Sequence, residues 1–327
     1  MDLKQNVYET LKNGKPEAFV NEWEPFKIVF DPMFHSVHNS ERGKTTIDPW
    51  GVTMFFGEDE PGAMPIVNDE TKVCKDITEW RKYVKAPDIE NTEIDWTEAK
   101  KQADAIRAEG KFVMVWMPTG VFEECHFLMG FEDALVNLLI EPEDMQDLID
   151  YIADYKIKYI NRLIKEFHPD VIMFHDDWGS KTSLFMKPDT WREFFKEPYR
   201  RIYKVIKDNG VIAMHHADSF CEPIVKDMVE IGIDIWQGVL PENDIQKIKK
   251  ETDYKLTLMG GIDASVVDRK DVDEEIVREE VRRACKEYSE GGMFIPCLTY
   301  GLEGSIFHQV NDIIMDEVRK LNKVYFK

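Results

Sequence analysis

Five short stretches carry the residue types that do chemistry, and each closes an apolar run. They are His175-Asp176-Asp177-Trp178, His215-His216-Ala217-Asp218, Trp236-Gln237-Gly238, Gly260-Gly261-Ile262-Asp263 and Cys297-Leu298-Thr299-Tyr300. Imidazole, carboxylate and thiolate are the natural donors for zinc. In an extended strand alternate side chains share a face, so His216 and Asp218 point one way and His215 and Ala217 the other. With Cys297 at a later strand end, His216 and Asp218 form a candidate metal set. A hydrogen-bonded core histidine and a small apolar cysteine are the plainer reading of the same residues. His175, Asp176 and Asp177 are candidate acid–base or substrate-orienting groups, or else turn and helix-capping residues. Glu123-Glu124-Cys125-His126 is ligand-like in composition and equally suited to capping the helix that follows.

The elements that must position these groups are legible from about residue 111. Short apolar runs ("KFVMVWMP", "DVIMFHDDWG", "GVIAMHHADS", "IDIWQGV", "KLTLMGGID", "GGMFIPCLTYG") alternate with amphipathic segments at 131–167, 188–208, 220–231, 242–251, 273–290 and 305–323. Fully apolar strands between helices imply βαβ units and a parallel sheet covered on both faces. At least six such units, with "PFKIVF" as an earlier strand, predict a single (α/β)8 TIM-type barrel over residues 1–327. No GxGxxG follows any strand, which removes the main reason to expect a dinucleotide fold. In a barrel all C-terminal strand ends ring one mouth, where the polar groups would meet. Residues 1–110, irregular and aromatic, are expected to form an N-terminal elaboration over that mouth. Trp116, Met117, Trp178, Trp236 and Tyr300 are expected to line a substrate cavity. Trp23, Trp50, Phe26, Phe30, Phe34, Phe55 and Phe56 are divided between core and wall.

Composition narrows the partners. The chain has 327 residues, 42 Lys and Arg against 63 Asp and Glu, and a formal charge of −21. A nucleic-acid partner needs a basic face and is not expected. No run approaches the apolar length of a membrane span, and the first residues read as a capped surface helix rather than a leader. Five scattered cysteines without a CxxC pair point to reduced thiols and a cytoplasmic setting.

Several stretches together resemble a known family. "MGFEDALVNLLIEPEDM", "HDDWGSKTSLFMKPDTWREFFKEPYRRI", "HHADSFCEPIVKDMVEIGIDIWQGV" and "LMGGID" are similar to the uroporphyrinogen decarboxylase superfamily over roughly residues 45–325. Within it they resemble the corrinoid-linked methyltransferase branch of anaerobic bacteria. The resemblance implies a single (α/β)8 barrel with its cleft at the C-terminal mouth. It does not imply porphyrinogen decarboxylation, since the RPxWxMRQAGRY-type motif is missing and the comparable region has only Arg42. The methyltransferase branch binds zinc through His-x-Cys and a distant Cys. Those positions match His216, Asp218 and Cys297, with Asp218 in place of the intervening cysteine and Cys221 or Glu123 as candidates for the fourth ligand. An oxygen ligand makes zinc harder, which suits polarising an ether oxygen better than activating a thiol.

The resemblance therefore implies a zinc-dependent methyltransferase that moves methyl from a small-molecule donor, a methoxylated aromatic ether, to the cobalt of a separate corrinoid protein. The chain has no DxHxxG corrinoid motif of its own. Transfer from a methyl-corrinoid to a thiol or tetrahydrofolate, and a metal-free binding barrel, are the alternatives.

Overall fold

The computed structural model describes residues 1–33, 41–58, 63–301, 307 and 309–326. Phe34 lies outside the described residues. The parallel sheet runs through strands β1 (Phe26–Ile28), β5 (Phe112–Met117), β6 (Val171–His175), β7 (Ile212–His216), β8 (Ile235–Val239), β9 (Thr257–Ile262) and β10 (Phe294–Leu298), in that spatial order. Strands β2 (Thr45–Ile47), β3 (Thr53–Phe55) and β4 (Met64–Pro65) form a separate antiparallel sheet.

The helices between strands are amphipathic for the reason the sequence gives. In Lys196–Asp208 the buried residues Tyr199, Ile202, Tyr203 and Ile206 recur at three- and four-residue intervals, the spacing of one helical face. The helical stretch 131–167 is two helices, Phe131–Ile140 and Pro142–Phe167. Pro142 cannot continue an incoming helix, because it lacks the N–H and constrains the residue before it, but it starts the next one well.

Strand alternation divides the core into two layers. Phe26, Phe112, Met114, Val171, Met173, Ile212, Met214, Ile235, Met259, Ile295 and Cys297 pack together as one cluster on the inner face. The residues between them, such as Val113, Ile172, Phe174, Ala213, Trp236 and Leu258, pack against the helices. Side chains from both end strands of a flat seven-stranded sheet could not share a cluster, so the sheet curls on itself as in a TIM-type barrel. Among the described residues β1 and β10 exchange no ladder bonds. The seam is bridged instead by the buried Glu22, whose Oε1 accepts from the Leu298 N–H at 3.1 Å.

The first helix belongs to the floor of the barrel, at the N-terminal ends of the strands. The helix Leu3–Leu11, capped by Asp2, sets Tyr8 edge-on to Phe112 at 5.5 Å. It also sends Lys4 to within 3.4 Å of Asp170, which precedes β6 and so marks the N-terminal end of the strands. A turn-rich, aromatic composition says that a segment packs, and not against which end. The later segment packs on the helical side: Trp50 meets Tyr155 edge-on at 4.9 Å, and Cys74 N donates to Leu128 O at 2.9 Å.

The Glu22 bridge is testable. Glu22→Ala leaves a buried N–H unpaired and should lower stability by about 1–3 kcal/mol, read as a lower urea midpoint. Glu22→Gln, which keeps Oε1 as an acceptor, should cost less.

Candidate metal centre

β6 and β7 pair so that His175 is opposite His216, and both residues share the inward parity of Met173 and Met214. The two imidazoles therefore stack, with centroids 4.6 Å apart and planes inclined by 21°. Asp177 follows two residues after His175. One ligand atom each from His175, Asp177 and His216 lies within 4.8 Å of the others.

Each histidine is held through Nδ1 by a different partner. His175 Nδ1 is 3.1 Å from Glu123 Oε2. Glu123 lies in the first turn of the helix Val121–Met129, where the same oxygen accepts from Gly120 N at 3.2 Å. His216 Nδ1 is 2.5 Å from Oε1 of the buried Gln237, its register partner on β8. Just beyond, a bulge between Gln237 and Val239 places Gly238 at φ +91°. A Cβ there would lie 3.0 Å from the His216 ring, so a glycine is required.

These neighbours leave one ring protonated and the other neutral. Burial alone would lower His175, but the Glu123 carboxylate, helped by Asp177 and Asp176, brings it up to about 10. Burial and the adjacent His175 bring His216 down to about 3. Burial, then Asp218, pushes Asp177 up to about 8. Burial also raises Asp218, to about 6. The backbone N–H of Asp218 donates to Asp177 Oδ1 at 3.0 Å and keeps the two carboxyls adjacent. Two imidazoles with fixed Nδ1 partners, together with a carboxylate, form a donor set that fits a divalent cation such as zinc.

The structure separates the candidates. His175, Asp177 and His216 come together, with Asp218 at the rim. Asp176 is fully buried and accepts from Phe122 N at 2.9 Å and Glu123 N at 3.0 Å. It caps the Val121–Met129 helix from another strand and so positions Glu123. Gly120 permits that approach, since a Cβ there would meet Asp176 at 2.0 Å.

His216, Asp218 and Cys297 do not gather into one ligand group among the described residues. Three strand spacings, about 14 Å along the sheet, separate β7 from β10. Gln237 stands between them, and the Cys297 thiol is pushed well up by burial and then by Glu22. Cys221, likewise buried, is pushed up to about 12 and has Sγ 3.2 Å from Ser219 Oγ.

Of the expected cavity residues, Trp116 meets His175 edge-on at 6.0 Å, and Tyr300 is half-buried with its hydroxyl on Asp268. Trp178, Trp236 and Met117 have the outward parity and are buried in the helix-facing core. Trp178 stacks on His215 at 4.0 Å, and Trp236 Nε1 donates to Ala217 O at 2.9 Å. His215 bonds Tyr203 through Nδ1 at 2.6 Å and is a core histidine. Glu123, expected as a cap or a candidate fourth ligand, is the partner of His175, and Gln237 is the participant that the sequence left without a role. Gln237 was detectable from its place two residues before the strand end, in line with His216.

The model of the uroporphyrinogen decarboxylase (URO-D) family matches residues 48–320, and the chain belongs to that family. It is 23% identical over 198 residues to the uroporphyrinogen decarboxylase of Actinobacillus succinogenes, covering 57% of this chain and 51% of that one. The enzyme of Mannheimia succiniciproducens is 22% identical over the same span and the same shares. The chain thus spans about half the length of the curated relatives it matches. A solved methyltransferase from Methanosarcina mazei shares the fold with a TM-score of 0.71 over 99% of both chains, at 15% identity. Among the described residues no helix is long and apolar enough to cross a membrane.

Asp176→Asn would turn an acceptor into a donor facing a backbone N–H. It should cost about 1–3 kcal/mol in chemical denaturation, because one helix amide is left unpaired in a buried place.

Proposed function

We propose that this chain is a zinc-dependent methyltransferase that moves the methyl group of a methoxylated aromatic to the cobalt of a corrinoid on a separate protein. The observation that carries the reading is the convergence of His175, Asp177 and His216 on the inner face at the strand C-termini. The full-length likeness in fold to a methyltransferase supports it. Bound by these residues, zinc would supply Lewis acidity at the oxygen of the donor.

The chain's own groups account for the rest. With Asp177 ligating the metal, neighbouring Asp218, raised by burial to about 6, is the carboxyl left to exchange a proton. Asp218 would protonate the oxygen that leaves when the donor loses its methyl group, and the corrinoid of the partner protein would supply the methyl acceptor. Trp116, edge-on to His175, offers an apolar face to the donor ring.

We do not assign porphyrinogen decarboxylation. Arg42 donates to Gly57 O at 2.9 Å and Glu58 O at 2.6 Å and stacks over Phe56 at 4.2 Å, which commits it to its own hairpin.

The test is incubation of the purified, zinc-loaded chain with guaiacol and free cob(I)alamin. Formation of methylcobalamin and catechol is expected, and no transfer from any methoxylated aromatic would overturn the reading.

Zinc binding is a separate check. His175→Ala and His216→Ala should abolish it and Cys297→Ser should preserve it, as measured by chelator competition. The reverse pattern would return the ligand set to Cys297. Binding must release the protons held near His175 and Asp177, so apparent affinity should rise with pH between 6 and 8. Each proton released contributes up to about tenfold per pH unit.

A further inference from the structure

Gln237 is fully buried at the centre of a chain of hydrogen bonds that crosses the barrel from β7 to the end of β10. Its Nε2 donates to Tyr300 O at 2.9 Å and, more weakly, to Leu298 O at 3.4 Å. Backbone carbonyls only accept, so the amide can have only one orientation: turned over, its oxygen would face two carbonyl oxygens. Oε1 is thereby fixed toward His216 Nδ1 at 2.5 Å, and that nitrogen must be the donor. A neutral imidazole has a single N–H, so the lone pair is on Nε2. Residue 301 lies beside that nitrogen. A Cβ there would come within 3.1 Å of Nε2, and glycine leaves this edge of the ring uncrowded.

We propose that Gln237 is a positioning residue that locks His216 in the Nδ1–H tautomer and presents Nε2 as the metal-facing donor. The lock is conditional on the Leu298–Tyr300 backbone, whose carbonyls set the amide. The site is therefore assembled across four strands, with the β10 end acting on β7 through one side chain. The proposal rests on the reading of His216 as a metal ligand, yet the tautomer can be observed without any metal.

The experiment uses protein labelled with ¹⁵N-histidine, zinc-free and zinc-loaded, with His216 assigned among the eight histidines by its loss in His216→Gln. Two-bond nitrogen–proton correlations distinguish the tautomers. The zinc-free wild type should show His216 as Nδ1–H, and Gln237→Ala should shift it to Nε2–H, the form imidazole favours in water. Gln237→Glu, which still offers an acceptor, should keep Nδ1–H. Zinc affinity should fall about 10–100-fold in Gln237→Ala and recover in part in Gln237→Glu. Gln237→Asn, one methylene short of the ring, replaces the alanine variant if that one does not fold. A wild-type His216 in the Nε2–H form, or a Gln237→Ala protein with unchanged tautomer, would overturn the proposal. Wild-type protein with the Nδ1–H form but no zinc affinity would defeat the proposed function and leave the role of Gln237 standing.

Discussion

The register between β6 and β7 is the constraint on which the rest of the site depends. His175 opposes His216, both are the last residues of their strands, and both have the parity of the inner face. A slip of one residue would send one imidazole into the helix-facing layer, where His215 already lies against Trp178. The continuous apolar inner cluster holds that register, because Met173 and Met214 leave the inner face if either strand shifts.

Two stacked histidines in one apolar environment would ordinarily share the same fate. Here their neighbours divide them. Glu123 brings a full charge to His175, whereas Gln237 brings only an amide dipole to His216. The first ring is held protonated, and the second is held neutral by burial and by the first. The difference originates in local chain geometry. Asp176 grips the start of the Val121–Met129 helix and so aims Glu123, while the β8 bulge at Gly238 makes room beside His216. Positioning of the site is thus spread over helix capping, strand register and one glycine turn.

The acidity of the chain takes on a local meaning at the mouth. Glu123, Asp177 and Asp218 lie around a single histidine that can be charged, so the site has more acid than base. Burial resolves the imbalance by keeping a proton on Asp177. A divalent cation held by Asp177 would take the place of that proton and leave Asp218 as the carboxyl that exchanges one.

The sequence alone determined the layered α/β fold, because apolar runs of five or six residues between amphipathic helices have few other solutions. It also determined that His175, Asp177 and His216 reach one rim, since each ends or follows a strand. Parity within β7 was equally legible: His216 faces inward and His215 does not. Only the tertiary structure decided which strand ends meet. Cys297 ends its strand as His216 does, but lies three strands away with Gln237 between them. Trp178 and Trp236 sit near strand ends but have the opposite parity to His175 and Gln237, so alternation itself turns them toward the helices. Glu123 is distant in sequence from both histidines, and its role follows from a cap made across strands. Spacing along a chain fixes which face a side chain takes within one strand. Distances between strands are set by the curl of the sheet, which no single segment encodes.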